Sequence, residues 1–297
     1  NGLVQQGWKD SHDSVFHRDG SAAPGPIALC EVQGYTFQAR LLAAVMAEAL
    51  GDAATAERQR RLAARLRERF EHAFWCEELG VYALALDGDD QPCRVVTSNA
   101  GHCLFSGIAG PERAQRVVHS LMGEAAFAGF GVRTLAVGQA RYNPMSYHNG
   151  SIWPHDNALV AAGFARYGHT DAAARVLSGM FAASTFVELQ RMPELFCGFA
   201  QRPGEAPTSY PVACAPQAWA AASVFLLLQA ALGVEIDGVA RRVWFRHPRL
   251  PGWLTQLELR NLQVGDANVD LRITRHPTDV DVTVLRRRGA VEIVVVR

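Results

Sequence analysis

Residues 147–159 read Tyr-His-Asn-Gly-Ser-Ile-Trp-Pro-His-Asp-Asn-Ala-Leu. This stretch ends a long segment, 123–153, that is rich in Gly, Asn, Tyr and His and has no sustained period. A loop of that length more often serves function than structure. Pro154 is suited to the first turn of a helix, where its missing N–H costs nothing, so the pattern predicts a helix over 154–167. Working outward, apolar residues at helical spacing predict further helices at 28–50, 53–76, 99–108, 111–122, 170–189 and 212–232. Gly51 stops the first of these, and Asp52 caps the next. The arginines at 58, 60, 61, 65, 67 and 69 lie opposite Leu62, Leu66 and Phe70, the mark of a solvated outer face. Gly-His-Thr-Asp at 168–171 joins two helices as a hairpin. The apolar run Ala218–Leu232 reads as a buried helix, interrupted by Ser223 and Gln229 and too short to span a bilayer.

The period changes near residue 235. Val- and Ile-rich runs alternate with polar residues and are divided by Gly, Pro and Asp turns. They predict four or five antiparallel strands, with a hairpin across Gly265-Asp266. A shorter strand is expected at 80–86. The division is therefore 1–233, mainly α, and 234–297, a small antiparallel β appendage. Its aromatic residues Trp244, Phe245 and Trp253 are expected at a junction with the last helix.

The 297 residues are 49% hydrophobic and 20% charged, enough apolar content for an ordinary core. Twenty-nine basic residues balance twenty-nine acidic ones, so nothing points to nucleic acid or an anionic membrane as partner. The cysteines at 30, 76, 93, 103, 197 and 214 form no CxxC or zinc-type spacing. They read as small core residues, which favours a reducing, cytoplasmic setting. Asn1 in place of Met makes the chain read as a fragment or a processed product. No phosphate loop, nucleotide motif or nucleophile elbow is present, and no cofactor is implied.

Two carboxylates stand out. Asp10, in Gly-Trp-Lys-Asp-Ser at 7–11, follows Trp8, whose ring is placed to shield it from water and offer a flat face to a sugar. Glu194, in Met-Pro-Glu-Leu-Phe at 192–196, follows Pro193, which restrains the backbone. Glu188 and Glu205 are its alternatives. Paired carboxylates of this kind suit glycosidic cleavage, one as acid and the other activating water or attacking the sugar. Asp13 rivals Asp10, because Lys9 beside Asp10 favours its ionised form; Lys9 is also placed to bond a sugar hydroxyl. Both aspartates equally suit a turn or cap. His148 and His155 are seven apart with Pro154 between them. They do not share a helix face, so no metal is expected.

Six pieces occur in order: GWKDSHDS at 7–14, EVQGY at 31–35, TSNAGH at 97–102, YHNGSIWPHDNAL at 147–159, MPELF at 192–196 and APQAWAAAS at 215–223. On these the chain resembles bacterial amylo-α-1,6-glucosidase-like proteins, relatives of the glucosidase half of glycogen debranching enzyme. The resemblance implies an (α/α)6 barrel, or six-hairpin glycosidase. The seven helices would be its C-terminal half, with the upstream half on the same or another chain. It implies Asp10 as general acid and Glu194 as general base, inverting the anomeric carbon. It further implies an oligo- or polysaccharide substrate, with an α-1,6-linked glucose at a dextrin branch. Trehalose- and mannosylglycerate-type substrates occur among related six-hairpin enzymes. Trp8, Lys9, Asp13, Glu31, Asn99, His102, Tyr147, His148, Asn149 and Trp153 fall on substrate-binding positions, Trp153 stacking on the sugar. Glu31 equally suits a helix start, and His102 a buried cap.

Overall fold

The computed structural model describes residues 4–297. Seven α-helices frame the described residues up to 232: α1 Cys30–Ala49, α2 Ala53–Ala73, α3 Asn99–Ser106, α4 Pro111–Leu121, α5 Pro154–Arg166, α6 Thr170–Ser184 and α7 Ala218–Leu232. The Asp52 side chain accepts the Thr55 N–H at 2.9 Å, and Gly51 takes φ +80° where a side chain would be strained. Helix α1 packs on α2 and α3, α3 on α5, and α5 on α6 and α7. The odd-numbered helices therefore form an inner arc, with α2 and α6 outside it. This is an α/α-barrel-type arrangement.

Helices α3 and α5 approach closely through two glycines. A Cβ on Gly101 would lie 2.7 Å from Val160, and one on Gly163 would lie 2.7 Å from the Phe105 backbone nitrogen. That closeness brings His102 of α3 within hydrogen-bond distance of Asp156 on α5.

Several elements differ from the sequence expectation. The helix foreseen to 189 stops at Ser184. There the hydroxyls of Ser184 and Thr185 bond back to Phe181 and Ala182, and a short 3-10 turn, Glu188–Gln190, follows. The helix foreseen from 212 starts at Ala218, since Pro216 disfavours helix in the residue before it. Helix α2 ends at Ala73 because Trp75–Cys76 (β2) pairs with Val81–Tyr82 (β3). The strand foreseen at 80–86 is two pieces, β3 and Ala85–Leu86 (β4); the latter pairs with Ala28–Leu29 (β1).

Nor is α7 buried throughout. Ala220, Ser223, Leu227, Ala230 and Ala231 face the core, while Val224 and Phe225 face outward. Its sequence is apolar all round, so composition could not show which side lacks a neighbour. On α1, Leu42, Val45 and Met46 are likewise exposed.

The C-terminal part holds six strands in two three-stranded sheets: β5 Val234–Asp237, β6 Arg242–Arg246, β7 Gln256–Val264, β8 Ala267–Arg275, β9 Val280–Arg288 and β10 Glu292–Val296. Strands β7 and β8 meet across Gly265-Asp266, as expected, and β9 completes that sheet. Ala267, Val269, Leu271 and Ile273 of β8 alternate into the core. The other sheet is not wholly antiparallel, because β10 runs parallel to β6. Strand β5 occupies one edge of β6, and β10 reaches the other by a crossover from β9. A Val-rich run carries no sign of its direction. Phe245 is buried among these strands, and Trp244 lies between Arg242 and Arg246. Trp253 stacks on Phe181 of α6 at 3.9 Å between ring centroids. The expected aromatic junction therefore falls mainly on α6, with Arg249 reaching Asp171 at 3.0 Å.

No helix among the described residues is long and apolar enough to cross a membrane.

Candidate functional site

The inner-arc helices converge on the segments around residues 8–14, 134–156 and 194–219. Trp8 lies at the centre. Its ring stacks over His102 at 6.1 Å and meets His148, Trp153 and His155 edge-on at 5.6, 5.5 and 4.9 Å. Asp10 lies outside this cluster, with a side chain 88% exposed. The shielding of Asp10 by Trp8 expected from the sequence is therefore absent: the indole turns inward, towards rings that can pack against it.

Lys9 also turns inward. Its Nζ donates to the Thr134 carbonyl at 2.8 Å, and the side chain is buried. Burial pushes its pKa down to about 8, opposed by the charges of Asp156 and Glu31. Glu31 and Asn99 are fully buried, with Glu31 Oε1 and both Asn99 amide atoms unpartnered. His102 accepts or donates at both nitrogens, to the Tyr35 hydroxyl at 2.5 Å and to Asp156 Oδ1 at 2.6 Å. Burial alone would raise the Asp156 pKa, but the His102 hydrogen bond and charge hold it below the usual carboxylate range. Lys9, Glu31, Asn99 and His102, expected from the sequence at a substrate site, thus lie together in a buried polar layer.

Glu194 occupies the opposite side. It is 7% exposed. Tyr147 donates its hydroxyl to Oε1 at 2.6 Å, and the Cys214 N–H donates to Oε2 at 3.1 Å. Burial by itself raises the Glu194 pKa; these two donors outweigh it and hold the carboxyl below its ordinary value. Burial pushes the Tyr147 hydroxyl well up, so it remains a donor. Replacing Tyr147 by Phe removes the stronger donor, so the Glu194 pKa rises. Any activity that needs the ionised carboxylate is then lost at a higher pH on the acid side. The test is the acid limb of a kcat/KM profile for Tyr147→Phe; an unmoved limb contradicts this account.

Asp13 serves the loop scaffold. Its Oδ2 accepts from Asn149 Nδ2 at 3.2 Å, and its carbonyl accepts from Arg141 at 3.1 Å. Trp153 is buried, with Nε1 donating to the Tyr147 carbonyl at 2.9 Å. Glu188 lies in the 3-10 turn beside a hollow of about 470 Å³ that also contains Pro193 and Tyr210. Glu205 pairs with Arg202 on the surface. Among the described residues no three His, Cys, Asp or Glu side chains are placed to hold a metal ion.

The structure adds residues that the sequence reading did not place here. His155 stacks on Trp219 at 3.8 Å, and burial lowers its pKa to about 4. Tyr210 lies against Tyr147 at 5.5 Å. Ser11 bonds His148 at 2.7 Å. Trp219 and Asp156 sit inside the stretches APQAWAAAS and YHNGSIWPHDNAL, so the signal was position within a motif. Tyr210 had no such signal.

Residues 8–192 match the mannosylglycerate hydrolase MGH1-like glycoside hydrolase domain, and the chain belongs to that family. It is thus a glycoside hydrolase domain by family. No curated protein matches the chain. Three solved structures share its fold. A sialidase superposes with a TM-score of 0.63 at 14% identity, covering 90% of this chain and 26% of that one. The GH63 mannosylglycerate hydrolase from Thermus thermophilus, in complex with Tris and D-glycerate, gives 0.55 at 22% identity, covering 67% and 46%. Neutral trehalase Nth1 from Saccharomyces cerevisiae gives 0.53 at 16% identity, covering 74% and 40%. The chain therefore spans less than half the length of each of these proteins. The family match supports the six-hairpin glycosidase class expected from the sequence and does not single out the debranching glucosidases within it.

Proposed function

We propose that this chain carries the acid and base of an inverting glycosidase that cleaves α-linked sugars. Asp10 acts as the acid and Glu194 as the base. The observation that carries this is the contrast between the two carboxyls around Tyr147 and His148. Asp10 is free and exposed, while Glu194 is held ionised by two donors. A held carboxylate suits a base that takes a proton from water; the acid role of Asp10 rests on its place in the Gly-Trp-Lys-Asp-Ser stretch, and its exposure leaves it open to the leaving oxygen. Asp13 is engaged with Asn149, which favours Asp10 over it. Inversion needs the two carboxyls separated by roughly 6.5–9.5 Å, with a water between.

The family match favours small α-glycosides of the mannosylglycerate or trehalose kind as substrates. The ordered motifs of the debranching type keep an α-1,6-linked glucose at a dextrin branch as the second reading. Trp219 offers the aromatic face open to a sugar, whereas Trp153 is covered by Trp8, Tyr147, His148 and His155 and supports the site instead of stacking on the sugar, the role expected from the sequence. Residues 1–233 are read as the C-terminal half of the barrel and 234–297 as its β appendage. The exposed apolar faces of α1 and α7 support an upstream half, on the same or another chain, that covers them. The six unpaired cysteines fit a cytoplasmic location.

The test offers the chain 2-O-α-mannosyl-D-glycerate, trehalose and a branched limit dextrin, and follows the released sugar by proton NMR during the first turnovers. Inversion of an α-glycoside releases the β-anomer first. Release of the α-anomer overturns the inverting mechanism. Binding of these sugars without release, in a chain joined to its upstream helices, leaves a binding module in its place.

A further inference from the structure

Tyr147 and His148 are consecutive, yet their side chains run to different carboxyls. The Tyr147 hydroxyl donates to Glu194 Oε1 at 2.6 Å, while His148 Nε2 lies 4.0 Å from Asp10 Oδ1. We propose that this dipeptide sets the spacing of the acid and base, with His148 as a positioning residue for Asp10. The proposal rests on the reading of Asp10 as acid and Glu194 as base.

The dipeptide is fixed from several sides. The Tyr147 carbonyl accepts from Ser151 Oγ at 2.6 Å and from Trp153 Nε1 at 2.9 Å. The His148 ring stacks on Trp153 at 5.2 Å with 21° between planes, and its edge meets Trp8 at 5.6 Å. Ser11 Oγ lies 2.7 Å from His148 Nδ1, and the residue is 2% exposed. One side chain of the pair is therefore locked by packing and by a hydrogen bond at its far nitrogen. The charged groups acting on the ring are Lys9, Asp10, Asp13 and Glu194. Burial and the Lys9 charge keep the ring neutral against the pull of the three carboxylates.

A neutral imidazole carries one N–H. We take the tautomer in which the Ser11 hydroxyl donates to Nδ1, which leaves that N–H on Nε2, facing Asp10. Among the described residues the Asp10 side chain has no hydrogen bond, and the basic-residue nitrogen within 4.0 Å of its carboxyl is His148 Nε2. An exposed carboxyl on two free torsions meets the leaving oxygen in only some of its rotamers. Holding one oxygen against Nε2–H selects the rotamer and leaves the other oxygen to deliver the proton. Ground-state geometry of this kind is often loose and tightens when the substrate is bound.

The experiment compares leaving groups. An α-glycosidic oxygen needs a proton as its bond to carbon breaks, whereas fluoride leaves with little help. Rates are measured on 2-O-α-mannosyl-D-glycerate, trehalose, α-D-mannosyl fluoride and α-D-glucosyl fluoride for wild type, Asp10→Asn, His148→Ala, His148→Gln and Ser11→Ala. Asp10→Asn should lose far more on the O-glycoside than on the fluoride. Equal loss on both would sink the acid assignment, whatever His148 does. His148→Ala should lose at least tenfold more kcat on the O-glycoside than on the fluoride, with KM little changed. His148→Gln, which keeps a donor, should recover part of the loss. Equal loss on both substrates with a raised KM makes His148 a sugar contact and overturns the proposal. A second readout needs no turnover. In a long-range proton–nitrogen spectrum, the His148 Nε2 resonance should shift in Asp10→Asn and the Nδ1 resonance in Ser11→Ala. An Nε2 resonance indifferent to Asp10→Asn overturns the proposal as well.

Discussion

Glu194→Gln should lower turnover by roughly 10²–10⁴-fold, the usual contribution of a positioned proton acceptor, while sugar affinity changes little. The amide keeps the size of the carboxylate, so the cleft keeps its shape. It cannot take a proton from water. The substitution also has a structural side. Glu194 accepts from both Tyr147 and the Cys214 N–H, and an amide offers only one acceptor atom. Its NH2 group must face one of the two donors, at a cost of about 1 kcal/mol. A drop in melting temperature of a few degrees is therefore expected and does not count against the catalytic role. Added azide provides the decisive measurement. It needs no deprotonation, so it should restore substitution at the anomeric carbon in the variant and give the β-glycosyl azide from an α-glycoside. Failure of azide rescue, with binding intact by calorimetry, would place the base elsewhere.

The largest expected loss of stability belongs to Asp156→Ala. Asp156 is fully buried, bonded to His102 at 2.6 Å, and one of two carboxylates whose charge acts on the buried Lys9. Removing it leaves an ammonium and an imidazole with one carboxylate, Glu31, in the layer beneath Trp8. Breaking a buried ionic arrangement from one side costs about 3–5 kcal/mol. Asp156→Asn, which keeps an acceptor for His102, should lose less. Urea unfolding at pH 7 measures both, and a loss under about 1 kcal/mol for the alanine variant, well below the range for such a break, refutes the account.

The pH dependence follows from Lys9. Its folded-state pKa, about 8, lies below the ordinary value of 10.5, so the unfolded chain binds the proton more readily. Stability attributable to Lys9 therefore rises as pH increases between those values. Without Asp156, whose charge favours the ammonium, the folded pKa falls further. The rise then begins at lower pH, and the deficit of the variant shrinks as the solution is made alkaline.

How far these features can be read from the sequence depends on the distance over which each is determined. The cap at Asp52, the helix start at Pro154 and the hairpin at Gly265-Asp266 are local, and local chemistry predicts them. The direction of β10 is not local, because it depends on which edge of β6 is free when the chain arrives. The outward face of α7 is similar: Val224 and Phe225 look like core residues until the neighbours of the helix are known. At the candidate site, residues 8–14 and 192–196 are identifiable as carboxylates in apolar surroundings. Which way each side chain turns is not. Trp8 and Lys9 turn inward because four aromatic rings and the Thr134 carbonyl await them, and those partners lie more than ninety residues away in sequence. The pairing of Tyr147 with Glu194 is invisible for the same reason.

The inner arc runs from α1 through α3 and α5 to α7, and its two end helices expose apolar residues: Leu42, Val45 and Met46 on the first, and Val224 and Phe225 on the last. These are different surfaces, so contact between the α1 edge of one molecule and the α7 edge of another is head-to-tail and not self-complementary. Contacts of that kind close into rings only when the rotation between copies allows it, and otherwise they propagate. An apolar edge at each end of the arc is thus a surface on which a neighbour fits, and the two edges call for different neighbours.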